Sequence, residues 1–172
     1  MSFRRKLWFL LVLFIFLFTT DSFAQQEKNK KDSIYSVIYF GATDCYYCNI
    51  EKNISNISKM VTEIKENYKQ LNIKTTIVSM DKDIAEGLKF IEKYTTRNWD
   101  EIAIGSFYKN ELALTYLNKT KIPGVPHLVV IKHVTVDSDL SVPVSISDEV
   151  LVDLVGGTQI DGWLKENYSF KK

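Results

Sequence analysis

The sequence predicts an α/β fold with a central mixed sheet of about four to five strands flanked by helices. Short apolar runs rich in β-branched residues alternate with longer segments of helical periodicity, in the order β-α-β-α-α-β-β-α. Strands separated by helices pair in parallel through right-handed crossovers, and the two late strands, which a turn joins, add an antiparallel pair. The chain of 172 residues suffices for one such domain.

The first strand is predicted from Ile34 to Phe40, a nearly continuous run of apolar, β-branched and aromatic residues. Such a run suits a strand that is covered on both faces. From Ile50 to Leu71 the apolar residues recur every three or four positions, which predicts one stripe of a helix about six turns long. A second buried strand is predicted from Thr75 to Met80.

A helical insertion is predicted between the second strand and the later Val125-Pro126 loop. Asp83 is placed to cap a helix that runs through Tyr94. The segment Asn98-Trp99-Asp100-Glu101 resembles a capping box and predicts another helix start. Gly105 is expected to divide the helical stretch that follows.

The C-terminal part is predicted to hold strands at residues 127–136 and 149–155. Residues 140–147 contain a proline, which favours an edge strand or a loop. Thr158 is predicted to cap a final helix that runs through Asn167.

The first 24 residues are typical of an export signal. Arg4, Arg5 and Lys6 precede an unbroken apolar run of 12 residues from Leu7 to Phe18, and Ser22-Phe23-Ala24 places small residues at the usual cleavage spacing. Because 12 residues span about 18 Å as a helix, short of a hydrocarbon core of about 30 Å, cleavage is favoured over an uncleaved membrane anchor.

The predicted organisation is a signal peptide at residues 1–24, a flexible leader at 25–33 and one domain at 34–172. Export predicts a periplasmic or secreted protein in an oxidising compartment, where disulfides persist. Removal of residues 1–24 changes the formal net charge from +1 to −1. This balance gives no support to the binding of nucleic acid or anionic membranes, so membrane contact is expected only if the signal segment stays uncleaved.

Cys45 and Cys48 are the only cysteines, and they lie between the first strand and the first long helix. The unpaired N–H groups and the dipole at a helix N-terminus stabilise a thiolate and lower the pKa of the thiol. A disulfide that closes so short a loop stabilises a fold little, which favours a redox role. We expect Cys45 to attack the disulfide of a partner and Cys48 to release it, and the reverse steps to donate a disulfide.

The chain resembles the thioredoxin-like superfamily. The residues that carry the resemblance are Phe40-Gly41-Ala42-Thr43-Asp44-Cys45-Tyr46-Tyr47-Cys48, together with Gly124-Val125-Pro126 leading into a strand. The resemblance covers residues 34–167 and implies a thioredoxin-like fold. It implies that Cys45 is the nucleophile, that Cys48 is the resolving thiol, and that Pro126 is a cis proline packed against the cysteine turn.

The same resemblance implies that the backbone of Val125, beside Pro126, pairs with a bound peptide. The expected partners are protein thiols or disulfides and a redox partner protein, with no cofactor. Tyr46 and Tyr47 are either an apolar rim that contacts substrate or turn residues with one ring packed inward.

Several residues depart from the thioredoxin pattern. Asp44 replaces the tryptophan before the first cysteine, and its charge opposes a lowered pKa of the nucleophile. Tyr46-Tyr47 replaces Gly-Pro, and Tyr39 fills the place of a buried acid. Glu51 and Tyr39 are therefore the candidates for the proton acceptor of the resolving cysteine, and the direction of electron flow stays open.

Two further functions stay open alongside the oxidoreductase. One is a non-catalytic binding module of the same fold, and the other is a metal carrier that uses the cysteine pair. His127 and His133 lie on one face of a strand but about 20 Å apart, at about 3.3 Å per residue, too far to share one ion. No metal site is predicted, and the alternative is a site built from Cys45, Cys48, His127 and a fourth ligand.

The insertion between the second strand and Val125-Pro126 admits two interpretations. It forms a cap above the cysteines, with Trp99, Phe107 and Tyr108 in contact with partners, or it is a packed connection with no contact role.

Overall fold

The computed structural model describes residues 32–94, 98–117, 123–136 and 144–170. The chain divides into two compact units, one formed by Met1–Asp32 and Thr135–Ile146 and the other by Ser33–Val134 and Ser147–Lys172. In the first unit, the described residues are strand residues at 32, 135–136 and 144–146. The predicted signal peptide and nearly all of the predicted leader lie outside the described residues.

Strands and helices alternate along the described chain. The elements are β1 (Asp32–Gly41), α1 (Glu51–Asn67), β2 (Asn72–Ser79), α2 (Ile84–Glu92), β3 (Glu101–Ile104), α3 (Glu111–Tyr116), β4 (His127–Val136), β5 (Val144–Val155) and α4 (Gly157–Lys165), with short 3-10 turns at Tyr47–Asn49 and Phe107–Lys109. None of the helices in the described ranges has the length and apolar character needed to cross a bilayer.

One sheet of five strands runs in the order β3-β2-β1-β4-β5. β1 and β2 pair in parallel with Ile38 opposite Thr76, and β2 and β3 pair in parallel with Thr76 opposite Glu101. The parallel crossovers and the mixed sheet confirm the predicted fold class.

The central strand β1 is buried on both of its faces. Val37 and Tyr39 point into one apolar cluster with side chains of α1 and α4, whereas Ile38 and Phe40 point into a second cluster with side chains of α3 and β4. Successive side chains of a strand point to opposite faces, so the four residues supply both cores. Burial of each such side chain contributes about 1.5–3 kcal/mol to folding.

The prediction of a helix that starts at Asn98-Trp99-Asp100-Glu101 is wrong, because the chain continues into the strand β3 at Glu101. The Asp100 carboxylate accepts hydrogen bonds from the backbone N–H of Thr75, at 2.7 Å, and from the Thr75 hydroxyl, at 2.8 Å. It also pairs with Lys65 at 2.8 Å. The acid therefore binds β2 and α1 instead of capping its own segment, which brings the following residues alongside β2.

The two other predicted caps have different outcomes. The side chain of Asp83 accepts a hydrogen bond from the N–H of Glu86 at 3.1 Å, which confirms it as the cap of α2. Thr158 is not the cap of α4, which starts at Gly157 after Gly156. Gly156 has φ of 83°, a backbone conformation that favours glycine.

We expect Asp100→Ala to lower the free energy of unfolding at neutral pH by about 1–3 kcal/mol, because it leaves the buried N–H of Thr75 without its acceptor. Burial raises the pKa of Asp100, but the hydrogen bonds from Lys65 and Thr75 outweigh it and hold the pKa below its usual value. The contribution is therefore present above the pKa of the unfolded chain and is lost as the pH falls through the folded-state pKa.

Urea unfolding of Asp100→Ala and the wild type across an acidic pH series measures this effect. Glu66→Ala, which removes an exposed acid from α1, is the control and should leave stability nearly unchanged. A destabilisation that stays constant into strong acid would contradict the role of the Asp100 carboxylate.

Candidate functional site

Cys45 and Cys48 lie in the turn that follows the central strand β1 and form a disulfide, with an S–S distance of 2.08 Å and Cα atoms 5.2 Å apart. The N–H of Cys45 donates to the carbonyl of Ala42 at 3.2 Å, which closes the turn. The N–H of Cys48 donates to the sulfur of Cys45 at 3.1 Å. A backbone donor therefore faces the sulfur that would carry the negative charge.

The two cysteines differ slightly in their exposure to solvent. Cys48 is fully buried, whereas Cys45 keeps 9% of its surface exposed. Of the two cysteines, Cys45 is therefore the one closer to solvent.

The sequence predicts that the cysteines lie at the N-terminus of the long helix, but in the structure they precede it. Cys48 lies within the 3-10 turn Tyr47–Asn49, and α1 begins only at Glu51. The donor that faces Cys45 therefore belongs to the short turn. Ile50 separates the turn from α1 with an extended backbone, φ −71° and ψ 128°.

Asp81, which follows β2, anchors the first half of the turn. Its carboxylate accepts hydrogen bonds from the backbone N–H and the hydroxyl of Thr43, both at 3.1 Å, and from the hydroxyl of Ser79 at 2.6 Å. Asp81 is 8% exposed. In the sequence, the one signal that could have indicated Asp81 is its position directly after the predicted strand from Thr75 to Met80.

Asn49 holds the second half of the turn. Its side-chain amide donates to the carbonyl oxygens of Ala42, Thr43 and Cys45, at 3.3, 2.9 and 2.7 Å. Its own oxygen accepts a hydrogen bond from the Lys93 ammonium at 2.6 Å. No sequence pattern indicated this residue, because its acceptors are backbone groups of a turn.

A buried chain of hydrogen bonds reaches Cys48 from the core. The amide of Asn53 donates to the Tyr39 hydroxyl at 2.9 Å, and the hydroxyls of Tyr39 and Tyr94 are 3.1 Å apart. The Tyr94 hydroxyl donates to the carbonyl oxygen of Cys48. Since the hydroxyl proton of Tyr94 is used in the bond to Cys48, the Tyr39 hydroxyl donates its proton to the Tyr94 oxygen.

The buried tyrosines act as donors and not as bases. Burial raises the pKa of Tyr39 to about 12, and burial also raises the pKa of Tyr94. Both hydroxyls therefore keep their protons at neutral pH, so Tyr39 is not a proton acceptor for the resolving cysteine. Glu51, the other candidate, is exposed at the start of α1.

The peptide bond between Val125 and Pro126 is cis, as the resemblance implies. Pro126 is buried, and its carbonyl accepts a hydrogen bond from the N–H of Gly156 at 2.8 Å. Val125 is half-buried and packs against the apolar cluster that contains both cysteines. The loop therefore lies against the same core as the redox pair.

Neither tyrosine between the cysteines is buried. Tyr46 is 76% and Tyr47 is 55% exposed, and their ring centroids are 5.5 Å apart. The Tyr47 ring lies beside Gly157, at the edge of a cleft of about 490 Å³ that also includes Asn53 and Asp161.

The insertion residues fall into two groups. Trp99 is buried, and its indole N–H donates to the carbonyl of Tyr94 at 3.2 Å, so it belongs to the core and is not a contact residue. Phe107 and Tyr108 line another cleft of about 490 Å³ together with Val125.

The histidines are used in hydrogen bonds to acids. His127 is fully buried, with Nε2 at 2.5 Å from the Asp153 carboxylate. His133 has Nδ1 at 2.7 Å from the Asp148 carboxylate and Nε2 at 2.9 Å from the Ser36 hydroxyl. Across residues 32–94, 98–117, 123–136 and 144–170, no three His, Cys, Asp or Glu side chains group as metal ligands.

Residues 34–135, more than half of the chain, match the family model described as thioredoxin-like. The chain belongs to this thioredoxin-like family, which confirms the resemblance seen in the sequence. No curated protein matches the sequence.

Several solved structures are similar to the chain. The thioredoxin domain of a thiol-disulfide oxidoreductase from Bacteroides vulgatus has 16% identity and a TM-score of 0.46, with 77% of each chain covered. A thiol-disulfide oxidoreductase from Bacteroides fragilis has 20% identity and a TM-score of 0.45, with 77% of this chain and 80% of that chain covered. A thiol:disulfide interchange protein from Bacteroides sp. has 16% identity and a TM-score of 0.47, with 80% of this chain and 73% of that chain covered.

We expect Asp81→Ala to lower the free energy of unfolding by about 1–3 kcal/mol, because the N–H of Thr43 and the hydroxyl of Ser79 lose a charged acceptor. Chemical denaturation of the disulfide-bonded protein measures the change. Asp44→Ala removes an exposed acid from the same turn and is the matched control. Equal stability of the two variants would contradict the anchoring role of Asp81.

Proposed function

We propose that the protein is an exported thiol–disulfide oxidoreductase that exchanges a dithiol and a disulfide with partner proteins. The observation that carries the proposal is the disulfide between Cys45 and Cys48 in the turn after β1, in which Cys45 keeps 9% of its surface exposed and Cys48 none. A disulfide kept only to stabilise the fold has no need of such an arrangement, and this one closes a very short loop. Membership of the thioredoxin-like family supports the same activity.

The exchange runs in two steps. In the first step, the Cys45 thiolate attacks one sulfur of a partner disulfide, so that a mixed disulfide forms and the other partner sulfur leaves as a thiolate. In the second step, Cys48 loses its proton and attacks the Cys45 sulfur, which expels the second partner thiolate. Two electrons pass to the partner, and the protein is left with the Cys45–Cys48 disulfide. The reverse steps oxidise a partner dithiol.

The proposed substrate contacts are Val125, Pro126, Tyr46 and Tyr47. The backbone of Val125, next to the cis Pro126, is proposed to pair with an extended segment of the partner, which tolerates many sequences because it reads main-chain groups. Tyr46 and Tyr47 form an exposed aromatic rim on the cysteine turn and are proposed to contact the partner's side chains.

The proposed location is the periplasm or the exterior of the cell. Residues 1–24 have the charged front, apolar run and small-residue end of an export signal. A redox partner protein must then restore the starting state after each exchange, because the cysteine pair carries only two electrons. The redox potential of the cysteine pair, measured against glutathione, decides the direction of electron flow. A value of about −270 mV indicates a reductant, and a value of about −120 mV indicates an oxidant.

We expect Cys45→Ser to abolish the reduction of a protein disulfide such as that of insulin, because the attacking sulfur is lost. We expect Cys48→Ser to accumulate mixed disulfides with partners, because the release step is lost. Turbidity of precipitating insulin chains and mass spectrometry of trapped species measure the two effects.

Turnover by Cys45→Ser equal to that of the wild type would contradict the proposal. Partner binding that persists after both cysteines are changed to serine would indicate a binding module instead. Metal bound after purification under reducing conditions would indicate a metal carrier.

We expect Tyr46→Ala and Tyr47→Ala together to raise the KM for a protein disulfide by about threefold to tenfold, since exposed aromatic residues supply contact energy at interfaces. The equilibrium with glutathione, which is too small to span the rim, should change far less. Leu88→Ala, at an exposed apolar residue of α2, is the control. A KM unchanged from that of the wild type would remove the two tyrosines from the substrate surface.

A further inference from the structure

Two consecutive residues that follow α2 support the cysteine turn. The Lys93 ammonium donates to the side-chain oxygen of Asn49 at 2.6 Å. The next residue, Tyr94, donates its hydroxyl proton to the carbonyl oxygen of Cys48. One short segment therefore supports the turn through two separate side chains, although it lies more than 40 residues away in the sequence.

The support from Lys93 reaches Cys45 through Asn49. The Asn49 amide donates to the carbonyl oxygen of Cys45 at 2.7 Å, which is the shortest of its three bonds to the turn. Lys93 fixes the orientation of this amide, because an ammonium group can only donate and must face the amide oxygen. The NH₂ group is then turned toward the carbonyls of the turn.

The support from Tyr94 is rigid. Tyr94 is fully buried, and its ring centroid lies 5.1 Å from that of Phe90 and 5.4 Å from that of Tyr39. Its carbonyl accepts the indole N–H of Trp99 at 3.2 Å. Both the backbone and the ring of Tyr94 are thus held, so the hydroxyl cannot follow Cys48 if the turn shifts.

We propose that Lys93 and Tyr94 are positioning residues that hold the carbonyl groups of Cys45 and Cys48 and thereby set the redox potential of the pair. The inference rests on the proposed oxidoreductase function, and it adds two residues whose hydrogen bonds go to Asn49 and to the Cys48 carbonyl and not to the sulfurs. Lys93 acts on the carbonyl of Cys45 through Asn49, and Tyr94 binds the carbonyl of Cys48 directly.

The two redox states differ in what restrains the cysteine turn. In the disulfide state the covalent ring already restrains the turn, whereas in the dithiol state the non-covalent contacts of the turn, these hydrogen bonds among them, keep the sulfurs close together. The effective concentration of one thiol at the other depends on that restraint. Loss of the hydrogen bond from Lys93 or from Tyr94 therefore favours the dithiol and makes the redox potential of the cysteine pair less negative.

The experiment measures the equilibrium constant for disulfide formation against glutathione in the full chain. We expect Lys93→Met and Tyr94→Phe each to lower this constant by about threefold to tenfold, the range that one hydrogen bond supplies. A tenfold change corresponds to about 30 mV for a two-electron couple.

Matched controls separate positioning from general damage to the fold. Tyr68→Phe removes a hydroxyl that donates to the backbone carbonyl of Tyr168, at 3.3 Å, outside the cysteine turn. Lys59→Met removes an ammonium that pairs with Glu63 on α1, at 3.1 Å. Both controls should leave the equilibrium constant near that of the wild type, even where they reduce stability.

A potential that Lys93→Met and Tyr94→Phe leave within the range of their controls overturns the inference. If Tyr94→Phe does not fold, Lys93→Met and Asn49→Ala carry the test, since Lys93 is exposed and Asn49 half-buried. The failure of the inference and the failure of the proposed function are distinguishable: a protein that fails to turn over protein disulfides but shows the shifted equilibrium would refute the function and support the positioning.

Discussion

The burial of β1 on both faces is the constraint on which the rest of the structure depends. Val37, Ile38, Tyr39 and Phe40 have at most 2% of their surface exposed, and they connect the two apolar clusters of the domain. Because these side chains alternate between the two cores, a shift of register by one residue would place every one of them in the wrong core. The strand's end, and with it the cysteine turn, therefore has a fixed position.

At that fixed point the chain leaves the sheet in the cysteine turn, so several backbone groups of the turn have no partners within a helix or strand. Side chains from separate parts of the chain satisfy them. Asp81 binds the N–H of Thr43, Asn49 binds the carbonyl of Cys45, and Tyr94 binds the carbonyl of Cys48. Such bonds are worth most where water is excluded, since an unpaired buried group is costly. The redox pair is thus built on polar contacts within an apolar core.

Whether a prediction from the sequence agrees with the structure depends on how far apart along the chain the interacting residues lie. The apolar stripe of α1 and the cap at Asp83 depend on residues three or four positions apart, and both are confirmed, although α1 ends at Asn67, before the predicted end at Leu71. The capping box at Asn98-Trp99-Asp100-Glu101 depends on the same local rule and is wrong, because Asp100 finds the N–H of Thr75 instead. A hydrogen bond from a buried strand N–H to a charged acceptor stabilises the fold more than a helix cap that is exposed to water.

The sequence by itself determined the class of the protein: the alternating strands and helices, the cysteine pair after the first strand, and the proline that proves to be cis are all local patterns. Only the tertiary structure decided which groups surround the pair. Asn49, Lys93 and Tyr94 are ordinary surface or core residues by their local pattern, and their partners are backbone carbonyls that carry no side-chain signature. Their contacts exist because the packing of α2 against the sheet brings the residues that follow it up to the turn, and no periodicity along the chain records that distance.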